Sequence, residues 1–267
     1  MDDHKLLRYS RHILLEPFGL EAQAKLDSAT VLVVGAGGLG SAALLYLASA
    51  GIGRILIADG DDVDLTNLQR QVIHRESTIG LNKAESAKAS LAEINSTIVV
   101  EANTIRLDDD SLDGLVRTAD LVLDCTDNFA TRHAINRACF RHRKVLVSGA
   151  AIRFDGQLTS FDFRSDNGPC YACLFPEDQN MAEERCAVMG VFAPLVGVIG
   201  TMQAAQAIRL LTGLVNETNT TGGQGRLSMF DARNMSWREV RFRQDPACPV
   251  CATGHRASMA TKEMEHV

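Results

Sequence analysis

The chain has 267 residues, of which 46% are hydrophobic and 22% charged, and its formal net charge at pH 7 is −6. This length and apolar content suffice for a large core in one or two units, and the acidic balance argues against a general nucleic-acid binder. The first residues, MDDHK, lack the apolar stretch of a secretion signal, so we expect a cytoplasmic protein with free cysteines.

Short β-branched segments alternate with helical patterns through the first half of the chain. This alternation predicts an α/β fold with a mainly parallel sheet, helices on both faces and ligands at the carboxyl ends of the strands. The predicted strands cover residues 31–34, 55–58, 98–102, 121–125 and 145–148. The predicted helices cover residues 39–50, 83–95 and 128–142.

The second half contains alternating segments without helices between them, which predicts antiparallel strands that extend the sheet. These strands cover residues 157–163, 227–230 and 237–242. An apolar stretch at 191–214 is interrupted by Gln203, Gln206 and Arg209, so we expect a buried helix there and no membrane span. Residues 216–225, NETNTTGGQG, predict a polar mobile loop.

A glycine-rich loop, GAGGLG at 35–40, follows the first predicted strand and opens a helix. Such a loop lets a phosphate approach backbone amides at a helix N-terminus. Asp59 ends the second strand and is placed to accept hydrogen bonds from a ribose, as in NAD enzymes; the alternative is a solvated strand end. The pattern predicts a nucleotide site, and as a sequence signal it is moderately specific.

Two cations follow this loop along the chain. Arg70 lies in TNLQRQ at 66–71, and Lys83 lies at the start of a predicted helix. Cations aimed at phosphate oxygens stabilise attack on the α-phosphorus of a triphosphate, so they favour a triphosphate over a dinucleotide. Both residues could equally be surface cations.

Two carboxylates and an amide follow the fourth predicted strand, in DCTDN at 124–128. A carboxylate that faces a triphosphate is unfavourable unless Mg²⁺ lies between them. We therefore predict Asp127 as a magnesium ligand and Asp124 as a helper or helix cap. The alternative is that both are only caps or turn formers.

Two Cys-x-x-Cys pairs, Cys170/Cys173 and Cys248/Cys251, predict a tetrahedral zinc site that ties the C-terminal region to the middle of the chain. Such a site has no open position and is structural. The alternatives are two disulfides or a dithiol redox centre, but neither pair precedes a helical pattern.

Several of these motifs together resemble the HesA/MoeB/ThiF family, bacterial adenylyltransferases related to ubiquitin-activating enzymes. They are RYSRHILL, GAGGLG, DLTNLQRQ, DCTDN, VSGAAIRFDGQ, CYAC and CPVC, in this order. The resemblance runs over residues 6–251 and implies one Rossmann-like adenylating domain at 1–251. Its nucleotide-binding part would cover about 28–150 and its carrier-docking and zinc part about 151–251, with a flexible tail at 252–267.

The resemblance implies a homodimeric nucleotidyltransferase that uses ATP and Mg²⁺. Its substrate would be a ubiquitin-like sulfur-carrier protein ending in Gly-Gly, of the MoaD or ThiS type, whose terminal glycine it adenylylates with release of pyrophosphate. Sulfur would come from a separate donor protein. The segments VSGAAIRFDGQ and HRESTIGLNKAESA favour the MoaD type of molybdenum cofactor biosynthesis, which we expect, whereas LFPEDQ and SWREVRFR favour the ThiS type of thiamine biosynthesis.

The resemblance also assigns site residues. Asp127 would bind Mg²⁺, and Arg11 would reach into the ATP site of the other subunit. The four paired cysteines would hold structural zinc. The residues implied at the nucleotide are Gly38 under the phosphates, Asp59 at the ribose, Asn67, Arg70 and Lys83 at the phosphates, and their neighbours Thr66, Leu68, Gln69 and Asn128.

Cys186 follows a polar stretch, 176–185, that we predict to be a mobile loop. By resemblance it matches a cysteine considered for thioester or persulfide chemistry; the alternative is a simple loop or packing cysteine. Cys125 and Cys139 are expected to be buried. The carrier body is expected to dock on the antiparallel strands near Phe154, Phe161 and Phe163.

Two other functions account for part of the sequence. An NAD-dependent oxidoreductase explains the glycine loop and Asp59 but leaves Arg70, Lys83 and the cysteine pairs unexplained. A non-catalytic scaffold for a ubiquitin-like partner would be expected to lose the site residues, which are present here.

Overall fold

The computed structural model describes residues 1–165, 168–177, 190–214 and 224–252. They form one sheet between two helical layers. The strands are β1 Thr30–Val34, β2 Arg54–Ala58, β3 Val99–Asn103, β4 Leu121–Asp124, β5 Val145–Ile152, β6 Asp155–Asp162, β7 Gln224–Asp231 and β8 Ser236–Arg243. The helices are α1 Asp3–Arg8, α2 Ser10–Ile13, α3 Gly19–Ser28, α4 Gly38–Ala50, α5 Lys83–Ile94, α6 Asp109–Thr118, α7 Phe129–Arg141, α8 Tyr171–Leu174 and α9 Ala193–Thr212.

The strand order is β3-β2-β1-β4-β5-β6-β7-β8. The first five strands in this order, β3, β2, β1, β4 and β5, pair in parallel. Strands β6, β7 and β8 are added by antiparallel pairing. The predicted fold class is therefore confirmed. The chain continues from β1 towards β2 on one side and returns to β4 on the other, which places a topological switch point between β1 and β4.

The central strands are buried on both faces, as expected when helices cover both sides of a parallel sheet. Along β1, Val31 and Val33 pack with α4 and α9, whereas Leu32 and Val34 pack with α6 and α7. This period of two explains why the strands read as continuous apolar runs in the sequence.

Helix α9 forms the centre of one core and was predicted, two residues longer at each end, from the apolar stretch. Within the described residues it alone is long and apolar enough to cross a membrane, but 56% of its apolar window is buried in the protein. Buried Gln203 donates from Nε2 to the carbonyls of Asp124 at 2.7 Å and Val147 at 3.3 Å. Gln203, one of the polar residues that interrupt the stretch, therefore connects this helix to the sheet.

Strand bounds differ from the prediction where antiparallel pairing continues past the apolar residues. Strand β5 extends to Ile152, which pairs with Asp155 of β6 across a tight turn at Arg153, where φ is +52°. Gln224 and Gly225 begin β7 because they pair with β8, so the predicted loop ends before them. Helix α6 was missed, although Asp108 caps it.

The expectation that Phe161 and Phe163 dock a carrier is wrong. Both side chains are buried, in the core that also contains the paired cysteines. Phe154 is half-buried and stacks on Phe192 with ring centroids 5.4 Å apart, while Arg233 lies over its ring at 4.8 Å. Alternation in the sequence shows that a strand has two faces, but not which face the helices and cysteine knuckles cover.

Two glycines of α9 test how closely this helix packs against α4. A Cβ at Gly200 would lie 2.2 Å from the carbonyl oxygen of Leu39, whereas a Cβ at Gly197 would have no heavy atom within 4 Å. We expect Gly200→Ala to destabilise the protein by about 1–3 kcal/mol because the two helix backbones must separate.

The matched control, Gly197→Ala, should stabilise by up to about 1 kcal/mol through helix propensity. Urea unfolding followed by circular dichroism measures both changes. Equal midpoints for the two variants would show that α9 does not contact α4 this closely.

Candidate active site

The carboxyl ends of β1, β2 and β4 meet at the switch point. The last residue of β1, Val34, pairs in register with Ala58 of β2 and with Asp124 of β4. Three polar segments, 35–40, 59–64 and 124–128, therefore start at the same level of the sheet. The structure thus brings together the three motifs predicted to bind nucleotide.

The glycine loop has steric reasons for its glycines. Gly35 adopts φ +96°, which favours glycine, and a Cβ at Gly40 would lie 2.0 Å from the Gly35 carbonyl oxygen. A Cβ at Gly38 would lie 2.8 Å from Val196 of α9. The N-cap of α4 is Gly37, which has no side chain to occupy the first amides of the helix. Free amides at a helix N-terminus are groups that can bind an anion.

Asp59 lies beside this loop. Its Oδ2 accepts a hydrogen bond from the Ala36 amide at 2.7 Å and its Oδ1 from the Asp61 amide at 2.9 Å. Each carboxylate oxygen has a second lone pair, which leaves room for ribose hydroxyls. The half-buried side chain of Asp59 is thus held in one orientation next to the glycine loop.

His74 and Gln71 are site residues that the sequence reasoning did not single out. His74 Nε2 donates to the Ala36 carbonyl at 2.9 Å, and its Nδ1 lies 2.9 Å from Ser86 Oγ. Because a carbonyl only accepts, Nε2 carries the proton, and burial lowers the pKa of His74 and so favours this neutral form. The Ala36 peptide is consequently held on both sides, by His74 and by Asp59.

The side chain of Gln71 contains a buried polar atom, Oε1, that lacks a hydrogen-bond partner among the described residues. Its Nε2 lies 3.6 Å from the position that a Cβ at Gly37 of the glycine loop would take. A buried amide oxygen without a partner fits a site that is completed by a bound molecule. The only sequence signal for it was its place at the end of TNLQRQ.

The two predicted cations lie on separate elements. Arg70 is half-buried and donates from Nη1 to the Thr66 carbonyl at 3.2 Å, across the short 3₁₀ turn Leu65–Asn67. Leu68 and Gln69 complete this turn, which Asp64 caps. Lys83 begins α5, is buried, and its Nζ lies 3.1 Å from Asp61 Oδ2.

The DCTDN segment divides its polar residues between two tasks. Buried Asp124 accepts hydrogen bonds from Thr126 Oγ1 at 2.6 Å and Ser148 Oγ at 2.7 Å, and it pairs with Arg132 at 3.2 Å. Of the two roles predicted for Asp124, helper or helix cap, these buried bonds fit the helper role. The cap of α7 is Asn128, whose Oδ1 accepts from the Thr131 amide at 2.9 Å.

Asp127 lies between these two residues and is exposed. In the part of the chain that the structure describes, its carboxylate has neither a hydrogen bond nor an ion pair. A carboxylate in this state, at the carboxyl edge of the sheet, has the oxygen ligands that Mg²⁺ requires.

Arg11 and Cys186 are not placed in this site. Tyr9, two residues before Arg11, packs on Gly51 at the C-terminal end of α4. The glycine loop is at the other end of this 13-residue helix, about 20 Å away. Exposed Arg11 therefore does not reach the site of its own chain through this segment. Cys186 lies outside the described residues.

The four paired cysteines form one cluster. The Sγ atoms of Cys170 and Cys248 are 3.6 Å apart, those of Cys173 and Cys251 are 3.3 Å apart, and all four lie within 4.8 Å of one another. A tetrahedral zinc with bonds of about 2.3 Å places its sulfurs about 3.8 Å apart, so the donor set fits zinc. Disulfide sulfurs would be about 2.05 Å apart.

Local structure supports this cluster. Cys170 is the N-cap of the single-turn helix α8, which ends one residue after Cys173. The Asp245 amide donates to Cys173 Sγ at 3.4 Å, as is common for metal-bound thiolates. The other described cysteines, Cys125 and Cys139, are buried as expected, and burial raises the pKa of both thiols, which makes them unreactive.

Comparisons with known proteins agree with this geometry. The chain is 44% identical to the molybdopterin-synthase adenylyltransferase of Salmonella typhimurium, covering 94% of this chain and 98% of that protein. It is 43% identical to the sulfur carrier protein ThiS adenylyltransferase of Escherichia coli, covering 94% and 97%. A crystal structure of E. coli MccB with ATP superposes with a TM-score of 0.77 at 25% identity, covering 92% of this chain and 74% of that one. The ThiF family model matches residues 9–250, so the chain belongs to the ThiF family.

Proposed function

We propose that this chain is an ATP-dependent adenylyltransferase that joins AMP to the C-terminal glycine of a ubiquitin-like sulfur-carrier protein. The observation that carries the proposal is the alignment of the carboxyl ends of β1, β2 and β4, which bring a glycine loop with free helix amides level with the unpaired carboxylate of Asp127. Lys83 is tied to the segment after β2 through Asp61, and Arg70 precedes Gln71, which lies at the glycine loop. The names of the relatives and the ATP bound to MccB support it.

The reaction explains why this site contains no catalytic triad among the described residues. A carrier's terminal carboxylate is already ionised at neutral pH, so no proton has to be removed from it. Its oxygen forms a bond to the α-phosphorus while the bond to the bridging oxygen of pyrophosphate breaks. The site has to position two anions and to compensate the charge that moves onto pyrophosphate.

Each segment has a part in this task. The amides at the start of α4, with Gly38 under the phosphates, bind phosphate oxygens. Asp59 binds the ribose. Asn67 and Arg70 bind the phosphates from the 3₁₀ turn, and Lys83 balances the charge of the leaving pyrophosphate. His74 and Asp59 keep the Ala36 peptide of the loop in a fixed orientation.

Asp127 would hold magnesium, with Asn128 beside it. When bound, the metal would neutralise phosphate charge between this carboxylate and the nucleotide. The ion pair between Asp124 and Arg132 holds the loop 124–128 in place, because Arg132 also donates from Nη2 to the Thr126 carbonyl. The exposed carboxylate of Asp127 therefore belongs to a loop that buried hydrogen bonds keep rigid.

The carrier favoured here is of the MoaD type, and a ThiS-type carrier is the alternative. Identity to the two named relatives is nearly equal, at 44% and 43%, so the choice rests on the segments VSGAAIRFDGQ and HRESTIGLNKAESA. Sulfur would come from a separate protein in a reducing, cytoplasmic compartment. Cys186 stays a candidate for thioester or persulfide chemistry.

ATP–pyrophosphate exchange tests the proposed function. With purified MoaD-type carrier, we expect radioactive pyrophosphate to enter ATP only when both Mg²⁺ and a carrier ending in Gly-Gly are present, because the carrier carboxylate is the nucleophile. A parallel reaction with a ThiS-type carrier decides between the two substrates. Nicotinamide binding without exchange on either carrier would favour the oxidoreductase instead.

Substitution of Asp127 tests the metal role within the same assay. We expect Asp127→Ala to lower exchange by at least about 100-fold, because the phosphate charge loses its metal counterion. Asp110→Ala, which removes an exposed carboxylate from the first turn of α6, is the matched control and should leave exchange unchanged. Full exchange in Asp127→Ala would remove this residue from the site.

Mixed dimers test whether Arg11 acts across a subunit interface. Arg11→Ala and Asp127→Ala should each be inactive alone. After subunit exchange at equal amounts, half of the dimers contain one complete site of two, so about a quarter of wild-type exchange activity should return. Lack of recovery, with dimer exchange verified by mass spectrometry, would place Arg11 outside the partner's site.

The cysteine cluster would hold a structural zinc that ties the segment after β8 to α8. We expect about one zinc per chain by atomic emission, and loss of that zinc with a lower unfolding temperature in Cys173→Ser. Cys139→Ala removes a buried thiol outside the cluster and should keep its zinc. A Cys173→Ser protein that retains a full equivalent of zinc would contradict this assignment.

A further inference from the structure

One carboxylate at the nucleotide site is shared by two cations of very different exposure. Asp61 Oδ2 lies 3.1 Å from Lys83 Nζ, and Asp61 Oδ1 lies 3.2 Å from Arg106 Nη2. The Lys83 side chain is 9% exposed, whereas that of Arg106 is 87% exposed. One cation is therefore buried, and the other faces solvent.

The position of Arg106 does not depend on the ion pair alone. A Cβ at Gly60 would lie 2.8 Å from the Arg106 amide nitrogen and 2.7 Å from its Cγ. The segment after β3 therefore lies directly against the turn that contains Asp59 and Asp61. The Asn103 carbonyl at the end of β3 accepts the Asp59 amide at 3.1 Å, which fixes the same contact from the backbone side.

These contacts set a condition on the proposed role of Lys83. Partial burial acts to raise the pKa of Asp61, but the hydrogen bond to Lys83 and the charges of Lys83 and Arg106 outweigh it and keep the pKa below its ordinary value. The carboxyl is therefore ionised at neutral pH. For Lys83 to turn towards a triphosphate, its ammonium must leave an ionised carboxylate whose side chain is 52% exposed. Without Arg106, that carboxylate would keep no cation partner.

We propose that Arg106 is a positioning residue that compensates Asp61 while the triphosphate draws Lys83 away. This inference rests on the proposed function, because it assumes that a triphosphate binds here. Arg106 does not touch the nucleotide in this mechanism. It lowers the free energy of the state in which Lys83 faces phosphate, and it acts through the shared carboxylate.

Removal of Arg106 in two backgrounds tests this coupling. We expect Arg106→Met to weaken Mg-ATP binding in calorimetry, and to raise KM for ATP in exchange, by about two- to fivefold with kcat unchanged, as for loss of an exposed ion pair. The same substitution added to Asp61→Asn should have no effect on ATP affinity. Arg106→Lys should restore most of the affinity.

Arg54→Met is the matched control. It breaks another exposed ion pair, with Glu101 at 2.9 Å, that links β2 to β3 and starts at the opposite end of β2. It should not change ATP affinity. Equal weakening by Arg106→Met in both Asp61 backgrounds would mean direct contact with nucleotide and would overturn the inference, as would no weakening at all. A wild-type chain that binds no Mg-ATP would overturn the proposed function, and the inference with it.

Discussion

The in-register parallel pairing of β1 with both β2 and β4 is the constraint on which the candidate site depends. Because Val34 is level with Ala58 and Asp124, segments 24 and 90 residues apart in the chain leave the sheet at one height. Each strand end brings a different chemical group: amides from the glycine loop, carboxylates after β2, and an exposed carboxylate after β4. A shift of one strand by one residue would turn its buried side chains to the other face and separate these groups.

Buried polar bonds keep this arrangement rigid. Gln203 of α9 donates to the last carbonyl of β4, and Asp124 accepts hydrogen bonds from its own loop, from Ser148 of β5 and from Arg132 of α7. His74 connects α5 to the glycine loop in the same way. Such bonds cost little when every member is satisfied, and they hold the loops to within the tolerance that charge compensation at a phosphate requires.

The antiparallel half of the sheet has another source of order. Strand β8 is exposed along almost its whole length and, among the described strands, pairs only with β7. The cysteine cluster lies directly after β8 along the chain and brings this segment against α8, in the core that also covers α7. A closed metal site at this point would substitute for the apolar contacts that an edge strand lacks.

The sequence by itself determined the fold class, the two-faced central sheet, the glycine loop and the cysteine cluster, because each follows from local spacing: periods of two and 3.6, a strand before a helix, and two residues between thiols. The tertiary structure alone decided which polar residue does which task. Asp124 became a buried support while Asn128 capped the helix, Phe161 and Phe163 turned inwards, and Asp61 gained two cations. These outcomes depend on contacts between residues tens of positions apart, whose partners are selected by packing and charge balance in the folded chain and follow no rule of sequence spacing.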